Sequence, residues 1–87
     1  MKVIRIIDII RKDVPLYYRN KYTAIAEIEI SSTVTNRAKI EFAIEVTPIS
    51  GKVYSVDEIE DLDYPTLPVK KALVEEIKNY DREGLLP

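Results

Sequence analysis

The chain has 87 residues, 46% of them hydrophobic and 32% charged, with only two glycines and five prolines. That is the composition of one folded domain spanning residues 1–87, and it excludes a disordered or fibrous segment. The absence of Cys, His and Trp excludes thiolate and imidazole metal sites, Cys nucleophiles, Ser-His-Asp triads and disulfide frameworks.

Net charge is −2, but its distribution is uneven. Residues 1–43 carry eight Lys/Arg against five Asp/Glu, and residues 44–87 carry five against ten. A sign difference between halves reflects either a charged partner or pairing within the fold. A domain of this size buries only about 60–65% of the surface its unfolded chain exposes. Without a disulfide or a Cys/His metal cage, its core suffices alone or is completed by a partner. The N-terminal apolar run is interrupted by Arg5 and Asp8, and no small-residue cleavage site follows, so it does not read as a signal peptide. No stretch approaches the ~20 apolar residues that span a bilayer. The expected location is cytoplasmic, in line with the lack of cysteine.

Residues 2–10 are rich in Val and Ile and predict a strand. Strict alternation places Ile4, Ile6 and Ile10 on one side and Val3, Ile7 and Ile9 on the other. A strand apolar on both sides is expected to be covered on both faces of its sheet. Residues 11–21, broken by Pro15, predict a connecting loop. From Tyr22 the alternation is clean. Tyr22, Ala24, Ala26, Ile28 and Ile30 share one side, opposite Thr23, Ile25, Glu27, Glu29 and Ser31. After a polar turn at residues 32–36, Ala38, Ile40, Phe42, Ile44 and Val46 share one face, opposite Arg37, Lys39, Glu41, Ala43, Glu45 and Thr47. A period of two in adjacent segments predicts an antiparallel hairpin.

Pro48 to Gly51 predict a turn, and Lys52 to Tyr54 a short fourth strand. Ser55 and Glu58 have capping-box spacing, which predicts a short helix over 56–62, stopped at Tyr64-Pro65. Thr66 is placed to cap a second helix. There Val69, Leu73, Ile77 and Tyr80 form one apolar stripe, and Gly84 supplies the left-handed stop. The expected fold is therefore α+β: an antiparallel three- to four-stranded sheet, β-β-β-(β)-α-α, with the C-terminal helix on one face.

Three constellations bear on function. The basic segment 11–22 sets Arg11, Lys12, Arg19 and Lys21 among Tyr17, Tyr18 and Tyr22. Cations bind phosphates and tyrosine rings stack on unpaired bases, which suits a single-stranded nucleic acid. The plainer account is a solvated loop whose cations face the acidic half of the chain. The run 57–63 holds five carboxylates in seven residues, but lacks the alternation, central Gly and distal Glu of a calcium loop. It reads as a solvated helix, and no metal is expected. Catalysis has no glycine-rich phosphate cradle or nucleophile elbow to work with. No catalytic residue, cofactor or small-molecule substrate is expected.

The third constellation is the sheet face away from the helix, where Val3, Ile7, Ile9, Ile25 and Ala43 are expected among charged neighbours. It predicts a non-catalytic protein–protein interaction or accessory module. Such a module would be a homodimer, or would take a protein partner, through a sheet face or an exposed strand edge. The alternative is a small nucleic-acid-binding regulator using Arg11, Lys12, Tyr17, Tyr18, Arg19 and Lys21. No membrane association is expected, and no motif specific to a known family stands in the chain.

Overall fold

The computed structural model describes residues 1–14 and 18–87. The described residues form β1 (Lys2–Lys12), β2 (Arg19–Ser31), β3 (Val34–Thr47), β4 (Gly51–Glu60) and α1 (Thr66–Arg82). The strands make one antiparallel sheet in the order β1-β2-β3-β4, a meander in which every chain neighbour is also a hydrogen-bonded neighbour. The α+β fold is the one the hydrophobic pattern predicts.

The β2–β3 hairpin follows the alternation residue by residue. Tyr22 pairs with Phe42, Ala24 with Ile40, and Ala26 with Ala38. All six are buried, and the Tyr22 and Phe42 rings stack with centroids 4.9 Å apart. The small Ala24, Ala26 and Ala38 let α1 approach this face, where Val69, Leu73 and Ile77 are fully buried in the same apolar cluster. Side chains at three- to four-residue spacing share one side of a helix, so one stripe of α1 meets one face of the sheet.

Two features depart from the expected pattern. The first is in β1, whose register with β2 shifts between Val3 and Arg5 and again between Ile7 and Ile10. Each β-bulge adds a residue and reverses the sides that follow it. Asp8 sits in the second bulge with φ 52°, a left-handed conformation that Asp tolerates better than a β-branched residue. Ile6, Val3 and Ile9 consequently pack against the helix-side core. Ile4 and Ile10 are exposed instead. Val3 and Ile9 are thus removed from the expected interaction face, because the bulges break the alternation that placed them there.

The second departure is the segment 51–60, which is a ten-residue strand with no helix over 56–62. Ile40 pairs with Ile59, Phe42 with Val56 and Ile44 with Tyr54, with a register shift between Glu41 and Phe42. Pairing with β4 satisfies backbone groups along the second edge of β3, which a short helix would leave unpaired. Ser55 Oγ meets Asp57 Oδ1 at 3.3 Å rather than closing a capping box.

Helix α1 begins at Thr66 with Pro65 in the cap position and no side-chain cap bond, so Thr66 is inside the helix rather than capping it. Its end follows the expectation for Gly84, which has φ 71°. Leu85 N–H donates to Tyr80 O at 2.9 Å and Gly84 N–H to Asp81 O at 3.1 Å. This is the Schellman arrangement, which satisfies carbonyls that a helix end otherwise leaves open. Asp81 then ties the helix to β4, accepting from Lys52 Nζ at 2.8 Å and from the Tyr54 hydroxyl at 2.6 Å.

Candidate functional site

Because α1 lies on one face, the other face of the sheet is uncovered among the described residues. Its rows follow from the register. Arg5, Glu27 and Arg37 form the first row. Ile7, Ile25, Lys39 and Glu60 form the second, and Ile10, Thr23, Glu41 and Glu58 the third. Lys12, Lys21, Ala43 and Ser55 form the fourth. The β1–β2 half of the two middle rows is therefore aliphatic, and charged rows flank it.

Those charges are largely matched within the face. Glu27, only 9% exposed, is held by the Arg5 guanidinium on one oxygen and by Arg37 at 2.8 and 2.9 Å on the other. The hydrogen bond from Arg5, reinforced by Arg37 and opposed by burial, keeps the Glu27 carboxyl below its ordinary value. Lys12 Nζ reaches Glu41 Oε1 at 2.7 Å, and that bond likewise holds Glu41 low. A shallow cavity of about 200 Å³ opens on the same face between Thr23, Lys39, Ile40, Glu41, Glu58 and Glu60.

Of the five residues expected to form an interaction face, Ile7 and Ile25 stand there as register partners, both half-buried. Val3 and Ile9 belong to the core side. Ala43 is on the open face but only 1% exposed, so it contributes little contact area. Ile10, which strict alternation assigned to the core, stands 62% exposed beside Ile7 and extends the aliphatic patch.

The edges offer less than the face. Both edge strands, β1 and β4, carry bulges, and bulges discourage strand addition. The Ile6 N–H of β1 is already used, donating to the Tyr80 hydroxyl at 3.1 Å.

The basic segment is brought into the sheet rather than left as a loop: Arg11 and Lys12 end β1, and Arg19 and Lys21 open β2. Arg11 donates to Asn20 Oδ1 at 2.7 Å, and Lys12 is committed to Glu41. Arg19 lies 3.8 Å from Glu45 and 3.7 Å from Asp57. The Tyr18 carbonyl accepts from Val46 N–H at 2.9 Å. Tyr17 lies outside the described residues. Much of the opposition between the basic and acidic halves is therefore internal pairing. None of the described helices is long and apolar enough to cross a membrane.

Fold and face together define a small α+β protein, an antiparallel meander roofed by its C-terminal helix on one side and open on the other. The chain belongs to the BB_0187 family, whose profile matches residues 1–82, from the first strand to the last residue of the helix. No curated protein and no solved structure matches it.

Proposed function

We propose that this protein is a non-catalytic interaction module that self-associates through the open face of its sheet. The observation that carries the reading is the aliphatic patch of Ile7, Ile10 and Ile25 on a face the protein's own helix does not reach. Four strands at about 4.8 Å spacing, each rising about 3.3 Å per residue over the 11 residues of β1, give a face of roughly 700 Å². That is close to the ~800 Å² per partner of a standard stable interface. Two such faces can stack at the ~10 Å separation of packed sheets. The Arg5–Glu27–Arg37 and Lys12–Glu41 groupings bring paired rather than bare charges into the contact, which lowers the desolvation cost.

Sedimentation velocity at micromolar concentrations tests the assembly. A species of about twice the 10.0 kDa chain mass is expected. It should return to monomer on Ile25→Glu, and stay intact on Leu67→Glu, at an exposed position on α1. A 10.0 kDa species at every concentration would defeat the proposal. So would a dimer indifferent to Ile25→Glu.

A further inference from the structure

We propose that mating of two open faces is proton-linked, the facing Glu41 and Glu58 carboxyl groups holding a proton between them in the assembled form. This rests on the open-face reading above. Glu41 and Glu58 are register partners across β3 and β4, and both line the cavity of about 200 Å³ beside the aliphatic patch. Lys12 from β1 engages Glu41 at 2.7 Å, so Glu41 has its cation. Among the described residues no cation lies within ion-pair distance of Glu58.

The other charged groups around the pair are Lys21 from β2, Lys39 from β3, and Asp57 and Glu60 from β4. Asp57 faces Arg19, and Lys39 and Glu60 are themselves register partners. The hydrogen bond with Glu41, then the charges of Glu60 and Glu41, push the Glu58 carboxyl above its ordinary value, with Lys12 opposing. Among the described residues no group of carboxylates is arranged to hold a metal ion in place of that proton.

Covering this face with a second copy removes water from two adjacent carboxylates. Desolvation and like charge both favour the neutral form. A carboxyl that is raised in the free chain and raised further on assembly binds protons more tightly in the dimer, so the dimer gains stability as pH falls. One proton per copy corresponds to up to about a hundredfold change in the dimer dissociation constant per pH unit within the titration window.

The experiment is sedimentation equilibrium of the intact chain at about pH 7.5 and pH 5, where at least a tenfold tightening is expected. Glu58→Gln should tighten the dimer at the higher pH and flatten the pH response. Because the chain approaches its pI of about 5.1 in this range, Glu83→Gln serves as control. It makes the same charge change at an exposed site beyond α1 and should keep the wild-type response. A dimer equally tight at both pH values, or a response retained in Glu58→Gln, overturns the proton linkage and leaves the open-face reading standing. Monomer at both pH values, in the wild type and in Glu58→Gln, overturns both.

Discussion

Truncating Ile6 and Ile10 to alanine separates two descriptions of β1. In a regular strand these residues share a side, and the two truncations would cost similar amounts. With the bulge at Asp8 they do not: Ile6 is 4% exposed in the core and Ile10 is 62% exposed on the open face. Ile6→Ala removes three buried carbons at about 0.8 kcal/mol each, and the cavity left beneath Tyr80 and the helix adds to that. The expected loss is about 3 kcal/mol. Ile10→Ala, mostly in water, should stay within about 0.5 kcal/mol. For 87 residues total stability is about 4–13 kcal/mol, so the first change is large, a fall in Tm on the order of 12–24 °C. Urea titration followed by tyrosine fluorescence suits a chain with six Tyr and no Trp. It should be run at concentrations low enough to keep the protein monomeric. Midpoints should differ while the slopes agree. Losses within 0.5 kcal/mol of each other would refute the bulged register.

Other outcomes follow from the same structure. Asp8→Val, forcing a β-branched residue to φ 52°, should cost about 1–2 kcal/mol, whereas Asp8→Gly should not destabilise; urea midpoints read both. Lys52, and then Tyr54, hold the Asp81 carboxyl below its ordinary value. A lowered carboxylate contributes stability above its unfolded value and loses it as pH falls through the folded one. Asp81→Asn should therefore cost about 1 kcal/mol near neutrality after solvent screening. That difference should close in acid, as followed by thermal melts across pH. Single-stranded oligonucleotide at low salt should leave fluorescence anisotropy unchanged, because Lys12 and Arg19 already face carboxylates. Tight binding lost on removing Arg19 and Lys21 would favour the nucleic-acid reading.

The hairpin of β2 and β3 and the stripe of α1 were legible because each has one apolar side and one polar side. Periodicity then reports geometry directly. In β1 nearly every position is Val or Ile, so the side chains carry no contrast from which a bulge could be detected. The only local hint was an Asp in the middle of an apolar strand. The segment after Gly51 misled for a different reason. Ser55 through Glu58 has the spacing of a capping box, but the unpaired edge of β3 extends far enough to take all ten residues as strand. Local propensity yields there to backbone pairing that only the assembled sheet can offer. The open face was half legible. Ile25 and the charges of β3 were placed by alternation, while Ile10 entered and Val3 and Ile9 left through the same two register shifts.

The most direct measurement of the central claim is an NMR dilution series on the isotopically labelled chain, following backbone amides and isoleucine methyls from the micromolar to the millimolar range. The open-face account expects concentration-dependent shifts at Ile7, Ile10, Thr23 and Ile25, with Val69, Leu73 and Ile77 on the covered side unchanged. Shifts confined to α1 or to the outer edge of β4, or none across the whole range, would contradict it.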